Sequence, residues 1–276
     1  MDSGFSPILH ERLQAFAPLR EDAGVLVQAG LPPGEFEQQY LHIRRQEGRL
    51  YSDAQVRRLP QPGGALGASH EWRVRALSSR LLVEHLRLRS GQGPILELGC
   101  GNGWLSHLLM DALQCEVCGV DVNRTELAQA ARVFGHDPRL SFVAADIQTL
   151  ALPPALFATI VLPACIQYFA DAAALVARLL PLLHAAGELH IVDSPLYASA
   201  QQARDSAART LRYFDGLGYP ALAAHYHQHT YASFDRFVVQ MRFDPRRPRA
   251  RLRRWLRRPQ PHFPWLCIRR QDNLDA

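Results

Sequence analysis

Ile95-Leu-Glu-Leu-Gly-Cys-Gly-Asn-Gly-Trp104 is the stretch that decides how this chain folds. An apolar run broken only by Glu97 ends in glycines at 99, 101 and 103, and an amphipathic segment, Leu105 to Leu113, follows at once. That order reads as a buried strand, a sharp turn and a helix start. Glycines there let the chain reverse tightly and let a ligand approach the backbone amides at the helix N-terminus. The spacing is Gly-x-Gly-x-Gly, because Trp104 stands where a dinucleotide-binding fingerprint has its last glycine.

Working outward, four more short apolar runs follow: Cys115 to Val120, Leu140 to Ala144, Ala158 to Leu162 and Glu188 to Val192. They are separated by segments of helical length such as Thr125 to Phe134, a pattern that suits strands buried on both faces of a parallel sheet. The expectation is a doubly wound α/β fold. After Pro195 a helical stretch runs to about Leu217. Phe237 to Phe243 and Pro264 to Ile268 then suggest an antiparallel hairpin closing the sheet edge, joined by an arginine-rich connection. Residues 1–90 read as charged helices interrupted at Leu31 to Gly34 and Leu59 to Gly67, so they are expected to form a helical cover or lid over a domain spanning 91–276.

Two further acids stand at strand ends. Asp121 lies 18 residues beyond Gly103, and Asp146 closes the third run. Either alone could cap a helix. Together with the glycine loop they resemble the class I S-adenosylmethionine (SAM) dependent methyltransferases, over about residues 94–195. The resemblance implies a seven-stranded, mostly parallel sheet with the last strand antiparallel. It implies that Glu97 lies near the cofactor amino group and that Gly99, Cys100, Gly101, Asn102 and Gly103 pack on its methionine part. Asp121 with Val122 would hold the ribose, Asp146 with Ile147 would read the adenine, and Leu162 would complete the cofactor site. The implied activity is methyl transfer to an O, N or C atom of a small organic molecule. An RNA methyltransferase guided by the arginine run and a SAM-binding protein without turnover are the alternatives.

In an open α/β sheet ligands sit beyond the carboxyl ends of the strands. This makes Tyr168, Asp193 and Tyr197 candidates for the acceptor side, with Tyr51 and Trp72 as lid residues. His225-Tyr-His-Gln-His229 is the densest titratable cluster, and His227 and His229, with Tyr168, are the candidate catalytic groups. Leu162-Pro-Ala-Cys165 lacks the Asn/Asp-Pro-Pro-Tyr/Phe sequence of methyltransferases that grip planar amines, and Cys165 reads as packing.

Composition bounds the rest. The 276 residues are 47% hydrophobic, enough for a sizeable core. Five scattered cysteines argue for reduced thiols and a cytoplasmic address, and no metal site is expected. Eight arginines fall between Arg246 and Arg258. Without them 23 basic residues face 26 acidic ones, so the net charge of +5 becomes −3. That run could bind nucleic acid or an anionic membrane surface, with a solvated loop as first choice. No membrane span is expected.

Overall fold

The computed structural model describes residues 9–31, 35–61, 63, 70–89, 93–256 and 258–270. Among them nine strands form one sheet: β1 (Leu19–Asp22), β2 (Val25–Gln28), β3 (Ile95–Leu98), β4 (Val117–Asp121), β5 (Leu140–Ala144), β6 (Phe157–Pro163), β7 (Leu183–Val192), β8 (Val238–Phe243) and β9 (Trp265–Arg269). Their order is β1-β2-β5-β4-β3-β6-β7-β9-β8. The run from β2 to β7 is parallel throughout, and the five apolar runs read from the sequence are β3 to β7. β9 runs antiparallel between β7 and β8, as the expected C-terminal hairpin requires.

Nine helices cover the sheet among the described residues: α1 (Leu9–Phe16), α2 (Glu35–Gln46), α3 (Asp53–Val56), α4 (His70–Arg87), α5 (Trp104–Leu113), α6 (Arg124–Phe134), α7 (Ala172–Leu179), α8 (Ala200–Gly216) and α9 (Pro248–Trp255). Alternation along the strands sends side chains to two cores. Leu96, Val120 and Leu162 pack with Leu9 of α1 and Val176 of α7, while Ile95, Val117 and Phe142 pack with Leu82 of α4, Leu109 of α5 and Leu127 of α6. The crossovers from β3 leave toward β4 on one side while β6 adds on the other. This switch point opens a crevice at the carboxyl ends of the central strands.

Three expectations change here, the first being the strand count, nine in place of seven. The N-terminal region is not wholly helical: β1 and β2 form a hairpin, and β2 extends the sheet by pairing Leu26 with Val143 and Val27 with Ala144. Asp22-Ala-Gly-Val25 makes the turn, with φ of 49° at Ala23 and 80° at Gly24, the paired positive values a two-residue hairpin turn needs. The arginine-rich connection is not a plain loop either, since Pro248 starts the helix α9, where its missing N–H costs nothing. Among the described residues no helix is long and apolar enough to cross a membrane.

Candidate active site

The crevice holds a cavity of about 720 Å³, within the size range of small-molecule sites. Its floor is the β3–α5 turn. Gly99, Gly101 and Gly103 have φ of 77°, 50° and 72°, a region L side chains rarely adopt. They nevertheless do different things. A Cβ on Gly99 would lie 2.6 Å from Cys165 Cβ and one on Gly103 2.7 Å from Phe142, whereas one on Gly101 would meet only the carboxylate end of Glu126, at 3.3 Å. Gly101 therefore bares the backbone to the cavity, and the other two glycines let elements pack. No side chain caps α5 at Gly103, which leaves its first-turn amides for a ligand beside Asn102 and Trp104.

Four acids converge on this half. Glu97 is 1% exposed and accepts from Ser106 Oγ, and burial pushes its carboxyl up to about 8. Asp121 takes the Gly101 N–H on Oδ2 at 2.8 Å and the Asn123 N–H on Oδ1 at 2.9 Å, so it ties the glycine loop to β4. Burial raises its pKa against those amides. Glu126 is raised to about 7 by burial and then by Asp121. Asp146 lines the cavity with Ile147, its loop braced by Gln28 of the hairpin, which accepts the Asp146 N–H at 3.1 Å and donates to Thr149 Oγ1 at 3.1 Å.

The other half is aromatic and cationic. Tyr168 and Tyr226 share a hydroxyl contact of 3.2 Å, the Tyr40 ring meets Tyr168 edge-on at 6.5 Å, and Arg44 lies over Tyr40 at 5.2 Å. Burial, then the neighbouring Tyr168, drives the Tyr40 and Tyr226 hydroxyls above the ordinary tyrosine range, so both stay protonated. Glu71 pairs with Arg49 and, at 3.1 Å, with Arg75. Trp72 Nε1–H donates to Tyr51 Oη at 3.0 Å, and the Trp72 ring stands edge-on to Trp104 at 5.5 Å. Asp193, at the end of β7 with φ of 54°, accepts from Ser78 Oγ at 2.7 Å and is raised by burial.

The structure brings together Glu97, Gly99, Cys100, Gly101, Asn102, Asp121, Val122, Asp146, Ile147, Tyr168, Tyr51, Trp72 and Asp193 around one cavity. It does not bring the rest. Gly103 is packed under Phe142, and Leu162 is fully buried in the opposite core. Tyr197 turns away to Ser206 Oγ. His227 and His229 do not line the cavity: His229 is 7% exposed with Nε2 against Ile166 O at 3.1 Å, and the residue of this segment that lines the cavity is Tyr226. Cys165 Sγ donates to Leu98 O at 3.1 Å and burial raises its thiol well above the usual value, which fits packing.

Sequence reasoning missed Tyr40, Arg44 and Glu126 as cavity residues, since nothing in a charged helix marks which turn faces a site. It also missed a buried cluster on α4, β7 and β9, where ligand-type atoms of His85, Glu188, His190 and Cys267 lie within 4.8 Å of one another. Arg242 donates to His85 Nδ1 at 2.9 Å and Trp265 to His190 Nδ1 at 3.1 Å. Those are the nitrogens that must carry the proton when the other one binds a metal. Arg269 also holds Glu188 Oε1, so the cluster is built as an ion-paired network.

The cavity fits SAM on its own chemistry. Buried Asn102 Oδ1 has no hydrogen-bond partner among the described residues, the Gly101 face is open, and the surrounding acids suit a cationic ligand. Among known proteins, a family model described as a methyltransferase domain matches residues 95–187. No curated protein matches the sequence. Solved structures do. The plantazolicin methyltransferase BpumL, in complex with a monoazolic desmethylPZN analog and SAH, superposes with a TM-score of 0.53 at 17% identity, covering 85% of this chain and 94% of that one. The YcgJ protein of Bacillus subtilis gives 0.51 at 16%, over 71% and 99%. Geranyl diphosphate methyltransferase with GPP and sinefungin gives 0.51 at 15%, over 71% and 78%. At these identities the likeness is one of fold.

Proposed function

Because residues 95–187 match a family model of a methyltransferase domain, we propose that the chain is a class I SAM-dependent enzyme that methylates a small polar acceptor seated among Tyr40, Arg44, Tyr168 and Asp193. The observation that carries this reading is the division of one cavity into an acid-and-glycine half and a tyrosine-and-arginine half. SAM supplies a methyl group already activated by its positive sulfonium. What this chain's residues add is alignment and water exclusion.

Glu97 would pair with the cofactor amino group, Asp121 and Glu126 would meet the ribose side, and Asp146 with Ile147 the adenine. On the acceptor side the Nε atoms of Arg44 and Arg49 and Gln167 Oε1 are buried without hydrogen-bond partners among the described residues. Buried polar atoms left open are costly, so a ligand that completes them is favoured. Asp193 is the group set to accept a proton from the acceptor: its raised pKa and Ser78 contact fit a general base better than the histidines outside the cavity. Tyr51, Trp72 and the α2–α4 region would form the cover that shields the transfer from water.

The test is methyl transfer from SAM carrying a labelled methyl group to a panel of small phenols, amines and acids, run beside S-adenosylhomocysteine binding. Arg44→Gln should lower turnover at least tenfold while cofactor affinity stays within about twofold. Cofactor binding with no product from any acceptor would point to a SAM-binding protein, the alternative outside enzymes.

A further inference from the structure

Helix α9 is built the wrong way round for a helix that packs on its own protein. A surface helix normally turns its apolar stripe inward. Here Leu252, Trp255 and Leu256, spaced i, i+3 and i+4 on one face, are 55%, 77% and 47% exposed. Ala250 is the only buried residue of the helix, and it lies about 160° around the axis from Leu252. The apolar stripe therefore points straight out. Arg249 and Arg253 flank it on one side and Arg251 on the other, while Arg254 lies about 160° from Leu252, nearer Ala250. All four are exposed and make no ion pair among the described residues, unlike Arg246, which pairs with Asp244 at 2.9 Å and lies over Tyr231.

The helix also has a defined position relative to the cavity. β8 ends at Phe243 opposite Trp265, and Leu266 pairs with Ile191 near the carboxyl end of β7. The described residues between β8 and β9 thus emerge at the end of the sheet where the parallel strands finish and the cavity opens. His262 from this connection stacks edge-on with His70 at 5.9 Å, one residue before Glu71 and Trp72 of the cavity wall.

We propose that α9 docks the protein onto an anionic lipid surface, with Leu252, Trp255 and Leu256 seated at the headgroup boundary and the flanking arginines on lipid phosphates. An outward apolar stripe bordered by cations is the arrangement of helices that lie in a membrane interface, and tryptophan favours that depth. Neither competing occupant uses both features. Nucleic acid would engage the arginines and leave two leucines in water, and a second copy of the same face would oppose arginine to arginine. This inference does not depend on the identity of the acceptor.

The 276-residue chain should sediment with vesicles of phosphatidylcholine mixed with phosphatidylglycerol and not with phosphatidylcholine alone, and raised salt should weaken the binding. Leu252→Ser/Trp255→Ser and Arg251→Ser/Arg253→Ser should each reduce it at least tenfold while S-adenosylhomocysteine binding, the control for folding, is unchanged. Tryptophan emission should shift to the blue on anionic vesicles, and the shift should be lost in Trp255→Phe. Absence of binding to either vesicle overturns the proposal, as does unchanged binding by the Leu252/Trp255 variant. So does tighter binding to a single-stranded oligonucleotide than to anionic vesicles.

Discussion

Gly101 and Gly103 share a left-handed backbone yet answer to different neighbours, and substitution separates them. Gly103→Ala drives a methyl group into Phe142 and should cost about 2 to 4 kcal/mol of stability, measured by chemical denaturation. Gly101→Val places its bulk into the cavity, so the fold should survive with a lowered melting temperature while cofactor binding is lost. Glu97 shows a trade between function and stability. Its pKa is raised by burial from the ordinary 4.5 to about 8, so its neutral form stabilises the fold fully below 4.5, and that contribution is lost as pH rises toward about 8. Glu97→Gln should therefore melt higher than the wild type at pH 8.5, with the gap closing toward pH 5, yet bind S-adenosylhomocysteine at least tenfold more weakly. Asp121→Ala frees the amides of Gly101 and Asn123, so it should lower stability as well as affinity, by about 1 to 3 kcal/mol in binding.

At the scale of elements, β3 to β7 were legible because continuous apolar runs of strand length can only be buried strands when glycine or helical segments bound them. The hairpin β1–β2 was not. Val25-Leu-Val-Gln28 is short and lies among charged residues, and the signal that exists, Asp22-Ala-Gly24, is a turn pattern that a helical reading absorbs. It matters for the site, because Gln28 holds the Asp146 loop. Gln28→Ala should weaken cofactor binding by about 0.5 to 1.5 kcal/mol with unchanged turnover at saturation, and equal affinity would detach the hairpin from the site. The helical cover follows the same logic. Tyr40 and Arg44 of α2 and Trp72 and Arg75 of α4 line the proposed acceptor half, so Tyr40→Phe should lower turnover before it weakens cofactor binding. Of the acids at the glycine-loop half, Asp121 and Asp146 could be read from sequence because they stand at or just past a strand end and Glu97 because it leads into the glycine turn, whereas Glu126, inside α6, could not. On the proposed acceptor side Tyr168 and Asp193 were legible because they follow strands, but Tyr40, Arg44 and Tyr226 were not, since they reach the cavity only through tertiary packing of helices and a loop.

The whole molecule separates its charges. The cofactor half of the cavity is acidic, the acceptor half carries arginines, and the eight arginines of residues 246–258 sit in the connection that holds α9, leaving the rest of the chain at −3. A basic composition taken alone would suggest a polyanion partner for the entire protein, and its distribution confines that suggestion to the connection that holds α9. In the proposed assignment the carboxyl ends of the parallel strands carry the cofactor acids with Tyr168 and Asp193, and α2 adds Tyr40 and Arg44. Calorimetric titration with S-adenosylhomocysteine, comparing the wild type with Gly101→Val, tests this assignment most directly. Dissociation on the order of micromolar for the wild type, abolished in a variant that still melts cooperatively, is the expected result. A wild type that does not bind, or a variant that binds equally well, would contradict the assignment of this cavity to SAM.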